Sequence, residues 1–382
     1  MSAAAAATVD HTTVDHPTVH EILVLEGAGI GPEVVGATTR VLAAAAERHG
    51  VALAFRDLPV GLRAYEAHGS TLPQETLDAL PGREAWLLGP VTHHLYDVHS
   101  GTMPNPSGTL RKRFELGGNV RPARSYPGVD ALRDAVDLVI VRENTEGFYA
   151  DRNVLSGSSE MVITEDVAIS LRVVTRKASL RVARVAFELA ERRAARSDRS
   201  PRVTALHKAN VLRRGDGLFL DACRAVAEDH PAVAFDDVHA DAFALHVLKD
   251  PARFDVLVTT NLFGDVLSDL TAGLVGGLGL APGLNVGDDH AMAQATHGSA
   301  PDIAGKGIAN PVAEILSGAM LLSWLGGRHD DPALEAASAT IHAAVEATLA
   351  DPAVRTPDLG GSGTTASFTD ALIGRIAEEA PA

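Results

Sequence analysis

The stretch FDVLVTTNLFGDVLSD, residues 254–269, carries an apolar run into a helix-like segment with two acids, Asp265 and Asp269, four positions apart. The run is too apolar on both sides for a strand with one wet face, so it predicts a strand buried in a covered sheet. Acids at i and i+4 repel by roughly 0.2–0.5 kcal/mol on an exposed helix, so the pair is not there to favour an isolated helix. Two readings account for it: a bound hard cation, or a helix N-terminus whose dipole tolerates acids.

Two further stretches repeat the pattern. VDLVIVRENTEGFYADR, residues 136–152, and RVTALHKANVLRRGDG, residues 202–217, each bring an apolar strand straight into a charged cluster. Ligands in open α/β sheets sit at the carboxyl ends of strands, so three such ends predict an active-site rim. Upstream, EILVLEG (21–27), VALAFRDLPV (51–60) and REAWLLGPV (83–91) read as strands, with an apolar-periodic helix after the glycines of GAGIGPEV (27–34). The alternation predicts an α/β fold with helices on both faces of the sheet.

The chain's 382 residues exceed one ordinary core and allow two domains. Lys and Arg number 33 against 49 Asp and Glu, a net charge of −16, which argues against a general grip on a phosphate backbone. The one cysteine, Cys223, excludes a disulfide framework and suits a cytoplasmic setting. Residues 1–20 have no basic region and no long apolar core, so they predict a disordered polar arm punctuated by His11, His16 and His20, and neither a signal peptide nor a membrane span. GLVGGLGLAPGLNVG, residues 273–287, reads as a tight connector or hinge and lacks the phosphate-loop motif. Met320 and Trp324, four apart on an apolar-periodic helix, read as packing residues. Arg111, Arg121 and Arg142 are candidate forks for carboxylates, and Asp241, Asp265 and Asp269 candidate oxygen ligands for a hard cation.

Six ordered segments then make a specific match: GAGIGPEV, LRKRFELGGNVRP (110–122), VRENTEGFY (141–149), HKANVLR (207–213), NLFGDVLSD (261–269) and HGSAPDIAGKGIANP (297–311). Together they resemble the β-decarboxylating dehydrogenases of isopropylmalate, isocitrate, homoisocitrate and tartrate, over about residues 21–375. The resemblance implies a two-domain α/β fold with its active site in the interdomain cleft. Residues 21–120 and 271–382 would form the larger dinucleotide-binding domain, and 121–270 a smaller domain for substrate binding and dimerisation. It implies NAD-dependent and Mg²⁺- or Mn²⁺-dependent oxidative decarboxylation of a 3-substituted malate-type 2-hydroxy acid, with tartrate or D-malate oxidation as the alternative. A non-catalytic regulatory homologue is the reading from another class, and the retention of Tyr149, Lys208 and the three aspartates speaks against it.

Residue by residue, the resemblance makes Arg111, Arg121 and Arg142 the substrate clamps, with Asn105 and Ser107 beside them. Asp241, Asp265 and Asp269 become the metal ligands, Lys208 the base or proton relay, and Tyr149 the acid at C3, with Lys208 and Asp241 supplied across a homodimer. Ile30, His297, Gly298, Ser299, Ala300, Asp302 and Asn310 become the cofactor site, where Asp302 would accept from the ribose diol and repel a 2′-phosphate. Three positions depart from the pattern: Ala28 and Gln294 stand where an acid is usual, and Thr260 where a Glu is common. Ser107 and Gly108 replace the leucines of isopropylmalate enzymes, which predicts a polar or small pocket for the C3 substituent.

Overall fold

The computed structural model describes residues 19–92, 95–96, 102–149 and 159–378. Twelve strands fall among them, ten in one sheet. They are β1 (Val19–Leu25), β2 (Ala52–Asp57), β3 (Ala85–Leu88), β4 (Gly118–Arg124), β5 (Asp137–Glu143), β6 (Glu160–Thr164), β7 (Val167–Ser170), β8 (Arg202–His207), β9 (Ala234–His239), β10 (Val256–Thr259), β11 (Leu284–Val286) and β12 (Ala291–Ala293). The large sheet has the order β2-β1-β3-β12-β11-β4-β5-β10-β8-β9. Both ends are parallel, and antiparallel pairings of β11 with β12 and β4, and of β4 with β5, join them.

Two expectations change here. The connector-like stretch 273–287 contains β11, a buried strand at the middle of the sheet. A strand of three residues shows too little periodicity to stand out from its glycines. His20, placed in the polar arm, lies in β1 and is 8% exposed, its ring 5.4 Å from that of His329. His11, His16 and the rest of 1–18 lie outside the described residues.

Alternation in the strands divides the interior. Ile22, Val24, Val139 and Val141 face a main core built with α1 (Gly31–Arg48), α5 (Arg176–Ala195), α6 (Gly215–Asp229), α9 (Val312–His329) and α10 (Pro332–Leu349). Met320 and Trp324 pack against that core, as expected. Cys223 on α6 is fully buried there, and desolvation pushes its thiol pKa far above the usual range. A cavity of about 1040 Å³ opens on this face between α5 and α9–α10.

The opposite face carries two separate cores. One gathers Leu23, Leu25, Trp86 and Leu88 with Leu110 of α4 (Pro106–Arg113). The other gathers Leu138, Ile140 and Leu257 with residues of α7 (Ala240–Lys249) and α8 (Asn261–Leu274). Asn119 and Arg121 of β4 and Arg142 of β5 emerge on this second face, whereas Arg124 and Asp137 line the cavity on the first. β6 and β7 pair apart from the sheet, with Val162 79% and Ile163 55% exposed. Among the described residues, no helix is long and apolar enough to cross a membrane.

Candidate active site

Arg142 follows Leu138 and Ile140 at the two-residue period of β5, so it shares their face. The antiparallel register sets Arg121 opposite Ile140 and Asn119 opposite Arg142. Asn119, Arg121 and Arg142 therefore emerge side by side at the end of the second core. α8 starts directly after β10, and its first turns bring Asp265 over the two arginines.

Asp265 Oδ1 accepts from Arg121 Nη1 at 3.2 Å and from Arg142 Nη1, and Oδ2 accepts from the Tyr149 hydroxyl at 2.6 Å. Burial works to raise the Asp265 pKa, but the guanidiniums of Arg142 and Arg121 outweigh it and hold the carboxyl below its ordinary value. Arg121 is drawn down to about 10 by desolvation and by Arg142, which leaves it charged at neutral pH. One turn on, Asp269 lies 3.9 Å from Arg121, and its pKa is raised by burial and by Asp265. The guanidinium of Arg142 also sits 5.4 Å above the Tyr149 ring.

Neutral groups hold these charges in place. Arg142 Nε and Nη2 donate to Asn261 Oδ1 at 2.9 and 2.6 Å, and Arg121 Nη1 donates to Ser268 Oγ at 2.7 Å. Arg121 Nε donates to Asn119 Oδ1 at 2.6 Å, and Asn119 and Asn144 both donate to Asn285 Oδ1 at 2.5 and 2.8 Å. Sequence reasoning passed over Asn119, Asn261 and Asn285. Asn285 could have been noticed, being the polar middle residue of the apolar triplet LNV.

Lys208 Nζ donates to Asp241 Oδ1 at 2.5 Å, and among the described residues no hydrogen bond or ion pair links this pair to the Arg121, Arg142 and Asp265 group. The loop bearing Lys208 is pinned from beneath. Buried Asp216 accepts from the Lys208 backbone N–H at 2.5 Å and from Arg172 at 2.5 Å, and Arg172 also reaches the Thr260 hydroxyl at 3.3 Å.

Among the described residues of one chain, no three acidic, histidine or cysteine side chains are grouped for a metal. Asp265 and Asp269, one turn apart on α8, form an all-oxygen pair that suits a hard divalent ion. Two ligands do not complete such a site, and Asp241 is held away on Lys208.

The remaining substrate candidates lie on α4. The Asn105 oxygen caps the helix by accepting from Gly108 N at 3.2 Å. Ser107 is 2% exposed, and its hydroxyl donates to Gln294 Oε1 at 2.8 Å, while Arg111 Nη2 donates to the same oxygen at 3.1 Å.

The cofactor candidates lie around the loop 297–310. Ile30 N donates to Ser299 O at 2.9 Å, and the Thr92 hydroxyl donates to Ser299 Oγ at 2.8 Å. Gly29, at φ +60°, passes so close that a Cβ there would lie 1.9 Å from Ser299 O. The Ile30 side chain packs with Val34 and Ala309 beneath Ala300 and Ile303. His297 Nδ1 lies 3.0 Å from the adjacent Gly298 O, and burial lowers the ring's pKa. Asp302 is exposed, open to a ligand's hydroxyls. Asn310 is tied down on both sides: its amide donates to Asp358 at 2.9 Å and its oxygen accepts from Val312 N at 3.1 Å. At the foot of the loop, fully buried Glu314 accepts from Ala295 N at 2.8 Å through Oε2, and its Oε1 has no hydrogen-bond partner.

Residues 21–372 match the family profile described as isocitrate/isopropylmalate dehydrogenase. The chain is 45% identical over 361 residues to an isocitrate/homoisocitrate dehydrogenase of Thermus thermophilus, covering 93% of this chain and 98% of that one. It is 43% identical over 352 residues to a 3-isopropylmalate dehydrogenase of Archaeoglobus fulgidus, covering 92% and 97%. The crystal structure of an isocitrate dehydrogenase from Methylococcus capsulatus superimposes with a TM-score of 0.82 at 43% identity, covering 94% of this chain and all of that one.

Proposed function

The chain belongs to the isocitrate/isopropylmalate dehydrogenase family, whose members decarboxylate a hydroxy acid oxidatively, and from that premise we propose an NAD-dependent, Mg²⁺- or Mn²⁺-dependent oxidation of a 3-substituted malate. The observation that carries this reading is the convergence of Arg121, Arg142 and Tyr149 on Asp265. Two buried guanidiniums with neutral supports form a rigid clamp for a substrate carboxylate, and Arg111 closes it from α4.

Asp265 and Asp269, joined by Asp241 of a second copy, would hold the ion. Bound there, the ion supplies Lewis-acid polarisation of the substrate's C2 oxygen, and the nicotinamide supplies the hydride acceptor. Lys208, also from the second copy, takes the C2 hydroxyl proton as the hydride leaves C2. The carboxylate β to the new ketone departs as CO₂, its bonding electrons pass to the C2 oxygen as an enolate, and the Tyr149 hydroxyl protonates C3. Asp265, whose Oδ2 receives the Tyr149 proton in a 2.6 Å hydrogen bond, fixes where that hydroxyl points.

Exposed Asp302 supports NAD, because a carboxylate beside the ribose repels a 2′-phosphate. The Lys208–Asp241 pair lying apart from the clamp supports a homodimer with shared sites, as does the apolar surface of β6 and β7. The two separate cores on one face of the sheet support a division into 21–120 with 271–382 and 121–270, although the main core on the other face runs through both parts.

The test is a panel of isocitrate, homoisocitrate, isopropylmalate, tartrate and D- and L-malate, each with NAD and NADP and with Mg²⁺ and Mn²⁺. One substrate should give equal yields of NADH and CO₂. A folded protein inert across the panel would overturn the proposal.

A further inference from the structure

Arg172 lies in the short link between β7 and α5, its side chain 12% exposed. The Phe148 ring, 5.7 Å from the guanidinium, and the Thr260 hydroxyl, 3.3 Å from Nη2, hold it in place. The link itself is fastened by paired backbone hydrogen bonds between Gly147 and Val173 at 2.9 and 3.0 Å. So fixed, Nη2 donates to Asp216 Oδ1 at 2.5 Å. Asp216 is fully buried in the first turn of α6, and among the described residues no other cation pairs with it. Its second oxygen takes the Lys208 N–H at 2.5 Å, while the Lys208 carbonyl oxygen accepts from Val211 N and Leu212 N at 2.9 and 2.8 Å. The Lys208 backbone is thus held at both its N–H and its C=O, and Nζ is left to reach out to Asp241 at 2.5 Å.

We propose that Arg172 is a positioning residue for Lys208, acting through Asp216, and that its effect falls on the site of the partner subunit. This rests on the reading of Lys208 as the group that takes the C2 hydroxyl proton in the second copy's site. A buried carboxylate keeps its place only while its charge is balanced. With the guanidinium gone, Asp216 has one backbone N–H and the field of a helix N-terminus to set against the full cost of its desolvation. It then admits water or turns toward solvent, and the Lys208 backbone is released. A displacement of about 1 Å at a reacting group can cost about a hundredfold in rate. The clamp of Arg121 and Arg142 is held by Asn119, Asn261 and Ser268 instead, so substrate binding does not depend on Arg172.

The experiment uses the full-length chain and the panel substrate that wild type oxidises fastest. Arg172→Met should lower kcat about tenfold to a hundredfold and leave KM unchanged. The primary isotope effect on a C2-deuterated substrate should rise, because the hydride leaves only as Lys208 takes the proton. Arg172→Lys, which keeps a cation beside Asp216, should recover most of kcat. If Arg172→Met does not fold, combining it with Asp216→Asn leaves no unpaired charge buried, and the weaker neutral bond to Lys208 N–H should still raise the isotope effect, with a smaller loss of kcat. A merely structural role would lower kcat and keep the isotope effect of wild type, and that result would overturn the inference. Mixed subunits test where the effect falls. In an exchanged pair of Lys208→Ala and Tyr149→Phe chains, the intact site takes Lys208 from the Tyr149→Phe chain and Tyr149 from the other. Adding Arg172→Met to the Tyr149→Phe chain should lower the recovered activity, and adding it to the Lys208→Ala chain should leave that activity nearly unchanged. Equal losses from both placements, or none from either, would overturn the inference while leaving the proposed reaction intact. A pair that recovers no activity even with Arg172 in both chains would instead remove the shared site on which the inference rests.

Discussion

Glu314 provides a prediction that needs no substrate. Its carboxyl is fully buried, with one oxygen bonded to Ala295 N and the other unpaired, and desolvation raises its pKa to about 8. In the unfolded chain a glutamate titrates near pH 4.3. Between those values the native state holds a proton that the unfolded state has released, so stability falls as pH rises through this window. Each pH unit inside it costs about 1.4 kcal/mol, so the loss from pH 5 to pH 7 is about 3 kcal/mol. The amide introduced by Glu314→Gln would keep the Ala295 bond and carry no titrating proton. At an unfolding entropy near 2.1 cal/mol/K per residue, 382 residues give about 0.8 kcal/mol/K, so the gap between the two thermal midpoints should change by about 3 °C over that range. Urea unfolding and thermal scans of both proteins at pH 5, 6, 7 and 8 would measure it. The variant should gain on the wild type at every step, and a difference that stays constant from pH 5 to pH 8 would refute a protonated Glu314.

Asp265→Asn removes the charge between two guanidiniums while Asn261, Asn119 and Ser268 keep them hydrogen-bonded, so circular dichroism should be retained. Its NADH production should need more Mg²⁺ or Mn²⁺ and reach a lower maximum, and an unchanged metal titration and turnover would eliminate the ligand role. Lys208→Ala and Tyr149→Phe should each be inactive alone and regain activity when their subunits are exchanged, because one mixed site then holds both intact groups. Exchange demonstrated with differently tagged subunits but without recovered activity would argue that each site is built from one chain, and sedimentation of an active monomer would rule the shared site out.

The sequence was most informative where an apolar strand runs straight into polar residues. β5 leading into Arg142 and Tyr149, and β10 leading into Asp265, are strong local patterns, and the tertiary structure brings their ends together. What escaped was whatever depends on pairing across long separations. Gln294 meets Ser107 and Arg111 across more than 180 positions, and Asn285 meets Asn119 across 166. Neither shows in a window of neighbouring residues, because satisfaction of a buried polar group is a property of the folded interior. β11 and β12 escaped for a different reason: at three residues each they carry too few alternations to register.

The burial of Cys223 in α6 makes the protein silent toward thiol-directed reagents in its folded state. Any cysteine introduced at the surface becomes its only reactive one, with no need to engineer a background away first. Spin labels or fluorophores attached in this way at Glu188 and Asp288, both exposed and both lining the 1040 Å³ cavity behind the sheet, would form a two-point ruler across it. The separation between them, followed by dipolar spectroscopy as substrate and cofactor are added, would show whether the rear of the molecule widens when the front closes.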